Sequence, residues 1–423
     1  MTASTPLLAA QRTSARLAAI PLPRLRRFLI ALYLVTAFAD AAGKALASSP
    51  AVNDAVRSLA GHPPATVAQQ DARRPSGNFE IFRASSHHLL DGANLYAKYP
   101  TESDRFKYSP TFALLFSPLA FLPAPVALFL WSTLNALLLF AAIERALPLR
   151  QALLALACLH LEVLRAMQNA QSNALVAALI ILAWVAIEQG KSWRAATMVA
   201  FGTSIKIFPL AALTFAVTRR KAWRTGACVV AVGVTLILLP LVVTSPAKLL
   251  AQYHWWRGIE STDAQQRWFS VMELLHHWFG ISWPNWPVQL LGIAALVTPL
   301  ALRRSRWDDP RFRLLYLCSA LIFMALFNHQ AERASYVIAF TGATIWFASE
   351  PSSRWRQAIF GVAMVTMPVM STLVPGEWVR WPVVVLYRLT VPMLIVWIMI
   401  QVELLQRASG DAPSMLRSPL AVE

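Results

Sequence analysis

Long apolar runs recur from residue 28 to residue 404, broken by short stretches rich in Arg and Lys. That pattern constrains the fold more than any other feature. Inside a hydrocarbon layer every backbone polar group must be satisfied within the chain, so only helices and closed barrels cross it. These runs do not alternate apolar and polar residues as barrel strands do. The chain is 57% hydrophobic and only 14% charged, against about 25% charged in an average soluble domain. The sequence therefore predicts an all-α, polytopic membrane protein.

Hydropathy predicts about 12 transmembrane helices, at residues 28–45, 109–122, 126–143, 152–167, 174–187, 195–217, 227–243, 288–302, 314–327, 334–348, 358–374 and 382–404. They form one transmembrane domain, 28–404, between a cytoplasmic N-terminal arm, 1–27, and a cytoplasmic tail, 405–423. The arm leads into an uncleaved first helix. A long first extracytoplasmic loop, 46–108, opens with an irregular piece, 49–76, and carries a surface helix over 79–90. A second, 244–286, is dense in Trp and His, as a membrane interface favours.

The formal charge is +17, concentrated in Arg24/Arg26/Arg27, Arg219/Arg220/Lys221/Arg224, Arg303/Arg304/Arg306/Arg311/Arg313 and Arg354/Arg356. Basic clusters between apolar runs mark cytoplasmic loops and contact with anionic membrane lipids, not nucleic acid. Twelve crossings place both termini inside, with Lys191 and Arg194 as outward exceptions. The short spans 109–122, 152–167 and 174–187 are the ones that a re-entrant piece can replace. Such a piece moves the polar break QNAQSN (168–173) from the inner to the outer face.

Cys158, Cys228 and Cys318 lie within apolar runs and read as packed thiols. No Gly-rich phosphate loop, CxxC pair or HExxH is present, and His254, His276 and His277 lack zinc-ligand spacing, so no metal and no cofactor is expected.

The ordered segments NFEIFRASSHHLLDGANLY, KYSPTFALLFSPLAFLP, LWSTLNALLLF, QNAQSNALVAALIILAW and SIKIFPLAAL resemble the glycosyltransferase family 87 membrane proteins. SVMELLHHWFG and NHQAERASYVIAF extend the likeness more weakly. The resemblance implies a GT-C fold and transfer of a hexose, mannose or another, from a polyprenyl-phosphate donor to an envelope lipid or glycan acceptor, with inversion. The site would lie on the outer face of a bacterial inner membrane. It also implies an acidic base in the first outer loop, usually an Asp where this chain has Asn78. An amide cannot take the proton, so a carboxylate must come from elsewhere.

Such a transfer needs a base for the acceptor hydroxyl and cations or donors for the leaving phosphate. Glu80, Glu332, Asp91 and Asp40 are the candidate bases, with Glu80 and Glu332 first. Asp91-Gly92 also reads as an ordinary turn. For the phosphate, Arg83, Lys107, His329 and Arg333 fall on the outer side, and Lys206 lies mid-span, with Glu162 as an available partner. Asn78, Asn328, Tyr96, Tyr99 and Tyr108 are further candidates for substrate contact, although the tyrosines equally suit interface anchoring. The QNAQSN amides read as helix-to-helix bonding. A transporter or flippase, or a non-catalytic relative that binds lipid-linked sugar, are the alternative functions.

Overall fold

The computed structural model describes residues 21–59, 77–100, 102–373 and 381–406. The first 20 residues of the expected arm and most of the expected tail lie outside them, as does most of GEWVRW. The described residues are all-helical, without strands. In chain order the helices are α1 (Leu22–Ala47), α2 (Pro50–Leu59), α3 (Gly77–Leu90), α4 (Pro110–Ala120), α5 (Ala124–Ala146), α6 (Leu149–Gln168), α7 (Asn173–Glu188) and α8 (Ser192–Ile205). A 3₁₀ helix, Phe208–Thr218, follows α8. Then come α9 (Ala222–Leu238), α10 (Pro246–Asp263), α11 (Val271–Phe279), α12 (Asn285–Leu302), α13 (Pro310–Leu326), α14 (Tyr336–Ser349), α15 (Arg354–Met364) and α16 (Pro382–Leu405). A π turn, Val365–Val369, extends α15.

Proline opens many of these helices, where a missing N–H costs nothing. Ser109 caps α4, accepting from the Phe112 amide, and Ser245 caps α10, accepting from the Lys248 amide. Five segments are long and apolar enough to cross a membrane: Leu22–Ala47, Ala124–Ala146, Ala222–Val242, Asn285–Leu302 and Pro382–Leu405. The core is built by α7, α13 and α14, which are apolar on every side and buried almost throughout. Gly342 lets α14 lie against α13, since a Cβ there would fall 2.7 Å from the Cys318 carbonyl.

Ion pairs fix which helix ends share a face. Arg26 at the start of α1 meets Glu144 at the end of α5, 2.6 Å apart. Glu188 at the end of α7 holds Arg313 of α13 at 2.9 Å and Arg219 at 2.5 Å. Arg356 of α15 meets Glu403 near the end of α16. These ends form a basic face. The opposite, loop face carries α3, α10, α11 and the segment 328–333.

Two of the expected spans, 109–122 and 195–217, are not single helices running from one face to the other. The segment 109–122 becomes α4, whose 11 residues span only about 16 Å, half a hydrocarbon layer. It runs back toward the loop face, where the Ala120 and Leu122 carbonyls accept from Arg83. The segment 195–217 is a hairpin. The 14 residues of α8 and the 11 of the 3₁₀ helix are each about 21–22 Å long. The chain therefore rises and returns to the basic face, where Arg219 meets Glu188 and Thr225 bonds Ser192 at 3.1 Å. Every helix between the two changes direction relative to expectation. QNAQSN thus lies on the loop face, while Lys191 and Arg194 join the basic face and cease to be exceptions.

Two smaller corrections concern the first outer loop. Part of the expected irregular piece is α2. The expected surface helix is α3, but its apolar side packs on protein: Phe82 is fully buried against Tyr108, Phe112, Phe116 and Trp131.

Candidate functional site

The site forms where α6 stops. Asn169 caps the helix, and Ala170 adopts φ +50°, a left-handed conformation that costs a residue with a Cβ about 1 kcal/mol or more. The surrounding structure holds it there. Trp131 donates its indole N–H to the Ala170 carbonyl at 3.0 Å, and Asn135 accepts from the Leu175 amide at 3.1 Å. Asn78 donates to the Asn169 carbonyl at 3.1 Å. The strained break is thereby tied to both α5 and α3.

From this break a chain of polar groups crosses the loop face. Lys206, at the tip of the α8 hairpin, donates to Asn173 Oδ1 at 2.7 Å. The Asn173 amide donates to Gln171 at 3.3 Å, and Gln171 donates to Glu332 Oε2 at 2.8 Å. Glu332 is itself exposed, so its carboxylate is oriented yet open to solvent. Its charge acts on Lys206 and on Tyr108, and the Lys206 ammonium sits 6.0 Å from the Tyr108 ring centroid.

The adjoining half is centred on Lys107. Its ammonium lies 3.2 Å from both Asp104 and Asp263. Burial works against that charge, but the two carboxylates outweigh it and hold the ammonium above its ordinary value. Asp263, at the end of α10, also accepts from Gln266 at 3.1 Å and Gln330 at 3.4 Å. Neighbouring Glu260 is raised by burial and then by Asp263. His329 Nδ1 lies 3.1 Å from Gln289 Nε2, while its Nε2 is buried without a partner. Burial pushes this imidazole below its ordinary value, against the pull of Asp263. Asn328 accepts from the Gln330 amide at 3.0 Å and shapes the turn.

The structure separates the four candidate bases. Glu332 is in the polar chain. Glu80 is half-buried on α3, and the nearest cation to it among the described residues is Arg83 at 3.9 Å. Asp91 is exposed in a turn closed by Gly92 at φ +69°. Asp40 pairs with Lys44 at 2.9 Å, and Lys44 also donates to the Met167 carbonyl. Arg83 serves α4 as described, with no part in the polar chain. Tyr96 donates to the Tyr108 carbonyl and Tyr99 to the Asn94 carbonyl, each at 2.8 Å, so both brace the loop. The Lys206–Glu162 pairing does not form. Lys206 meets Asn173, and Glu162 lies among Arg165, Arg333 and Arg388.

Sequence reasoning passed over Asp263, Asp104, Gln289 and Gln330. Asp263 carried a usable signal, being an acid of the second outer loop on the same side as the first. Gln171 and Asn173 were visible but assigned to the wrong face. Among the described residues no group of three His, Cys, Asp or Glu side chains is placed to hold a metal. The cysteines are free thiols.

An oriented carboxylate, two amines and four amides on one face suit proton abstraction from a hydroxyl beside a departing anion. No curated protein matches this chain. Comparison with protein families matches residues 106–328, a little over half the chain, to Glycosyltransferase family 87. The matched stretch contains the 168–173 break, Lys107, Tyr108, Lys206 and Asp263, and ends at Asn328; Asn78 and Glu332 fall outside it. On that match the chain belongs to glycosyltransferase family 87.

Proposed function

We propose that this membrane glycosyltransferase moves a hexose from a polyprenyl-phosphate donor to an envelope lipid or glycan acceptor, with Glu332 as the base. The observation that carries the reading is the Glu332–Gln171–Asn173–Lys206 chain, which puts an open carboxylate and a cation at one strained backbone break. In the reaction the acceptor hydroxyl gives its proton to Glu332 and its oxygen bonds the anomeric carbon. The carbon–oxygen bond to phosphate breaks, and the lipid phosphate leaves with the electron pair. Lys206 and Lys107 are the nearby cations that stabilise that charge. Gln171, Asn173, Asn328 and Gln330 supply donors and acceptors for sugar hydroxyls. An open apolar groove of about 520 Å³ between α1 and α6, bordered by Asp40, Lys44 and Gln168, is a place for a polyprenyl tail.

The same reading orients the protein. Lys191 and Arg194 lie with the other basic clusters, so the positive-inside rule puts the basic face in the cytoplasm. Both termini are then cytoplasmic, and transfer takes place at the outer surface of a bacterial inner membrane.

The test is transfer of label from polyprenyl-phosphate hexoses to a membrane lipid extract by the purified protein in nanodiscs. Transfer that disappears in Glu332→Gln is the expected result. Full transfer in that variant removes Glu332 as the base. Absence of transfer with donor binding retained indicates a binding protein.

A further inference from the structure

The basic face carries cations that its acids do not neutralise. Glu188 is committed to Arg219 and Arg313. Close by, Lys191, Arg194, Lys221 and Arg224 are exposed, and none has a carboxylate at ion-pair distance among the described residues. The fold brings these four together. Lys191 and Arg194 sit at the start of α8, Lys221 and Arg224 at the start of α9, and the 3.1 Å bond from Thr225 to Ser192 ties the two starts to each other.

Between them lies an open pocket of about 620 Å³, lined by Lys191, Arg194 and Arg224 together with Trp193 and Trp223. A second pocket, of about 370 Å³, shares Gly190, Ser192 and Arg224 with the first and adds Arg219 and Lys221. Glu188 is the acid that lines it, and its charge is already taken. Trp193 is 63% exposed and Trp223 70%. Indoles left open where apolar helices end suit the headgroup layer of a membrane, because one side of the ring is apolar and its N–H is wet. From the pocket an apolar stripe continues along α9. Trp223, Ala227, Val230, Val234 and Ile237 follow at intervals of four and three residues, so they share one side of the helix. All five are exposed, on a segment long and apolar enough to cross a membrane.

We propose that this pocket seats the headgroup of an anionic phospholipid of the cytoplasmic leaflet, with an acyl chain lying along the α9 stripe. The cations supply charge and N–H donors for the phosphodiester. The stripe supplies apolar contact, for which a free phosphate has no use. Any basic surface attracts anionic lipids, whereas a pocket that leads into an apolar track fixes one lipid at one place. The bound lipid bridges the α7–α8 turn and the start of α9, and so braces the hairpin whose tip carries Lys206. The choice of leaflet follows the orientation proposed above; the binding itself does not depend on that orientation or on sugar transfer.

The experiment measures lipid binding to the purified full chain in detergent by native mass spectrometry. The probes are phosphatidylglycerol, phosphatidylcholine with the same acyl chains, and inorganic phosphate as competitor. Phosphatidylglycerol should bind at least about 10-fold tighter than phosphatidylcholine. Lys191→Gln and Arg224→Gln should each weaken it about 5-fold, the factor that one cation contributes near an anionic lipid surface, and Arg224→Lys should keep most of the affinity. Arg24→Gln and Arg150→Gln remove the same charge from exposed positions on the same face outside the pocket, and should leave binding within about twofold of wild type. Equal losses in all four Gln variants mean that the charge of the whole face attracts the lipid, and overturn the pocket. Equal binding of the two phospholipids by the wild type overturns it whatever the variants do. Inorganic phosphate displacing phosphatidylglycerol at equal concentration overturns the lipid assignment.

Discussion

The two faces of the bundle use charge in opposite ways. On the basic face, acids join elements that are distant in sequence. Glu188 holds Arg219 and Arg313 together, and Glu403 accepts from Arg356 and, at 2.8 Å, from Trp346. Glu144 ties α5 to α1. On the loop face the acids have weaker or shared commitments. Glu332 accepts from a neutral amide, Glu80 has its nearest cation among the described residues at 3.9 Å, and Asp263 is divided among a lysine and two glutamines. Well-paired charges act as staples, whereas incompletely paired ones remain available to a reactant.

The largest test of this contrast is the pair Glu332→Gln and Glu188→Gln. The first should lower transfer about 10²- to 10⁴-fold, the usual contribution of a general base, and leave thermal unfolding nearly unchanged because the side chain is exposed. Asp263→Asn in the same assay sharpens the assignment: a larger loss there than in Glu332→Gln moves the base to α10. Glu188→Gln should do the reverse. Glu188 and Arg313 are 6% and 9% exposed, and removing one partner of a buried pair costs about 3–5 kcal/mol. The expected outcome is a lower unfolding temperature with the rate per folded molecule within about twofold of wild type. A large loss of rate with unchanged stability would erase the distinction between the faces.

The helices were legible in the sequence because burial in lipid writes itself as apolar runs. Their direction was less legible, because a hairpin and a single crossing have the same hydropathy. The signal lay in residues 195–217, where Lys206 stands mid-run and Pro209 follows. A lysine at the centre of a crossing is costly, but at a hairpin tip it reaches polar partners, here Asn173. Misreading that segment and α4 placed QNAQSN on the wrong face and turned two site amides, Gln171 and Asn173, into helix glue. Glu332, Lys107, Lys206 and His329 stood out as candidates because polar residues within or beside long apolar runs are few. Asp263 was missed because its role depends on α10 folding back over Lys107, a contact that neither loop shows alone.

Smaller effects separate the acids that the structure leaves out of the polar chain. Glu80→Gln changes a half-buried carboxylate and Asp91→Asn an exposed one, and each should keep transfer within about twofold and stability within about 0.5 kcal/mol. A strong loss of transfer in Glu80→Gln would return the base to the first outer loop, near the position that Asn78 vacates.

The smallest expected effect concerns pH. Glu102 is packed near His88, with 3.6 Å between its Oε1 and Nδ1, and that oxygen has no hydrogen bond. Burial raises its carboxyl from 4.5 to about 7, so the folded chain binds the proton more tightly than the unfolded chain. Stability from this group is therefore complete below the ordinary carboxylate value and declines as pH rises through about 7. His88 is lowered by burial, against the pull of Asp91, and works in the other direction, costing stability as pH falls below its ordinary value. Glu102→Gln keeps the neutral form at every pH. Its unfolding temperature should match wild type near pH 4.5 and exceed it at pH 8, with the opposite slope from His88 left in place. Identical profiles in the two proteins would mean that Glu102 ionises in the fold without penalty, and that the loop face can hold charge as comfortably as the basic face does.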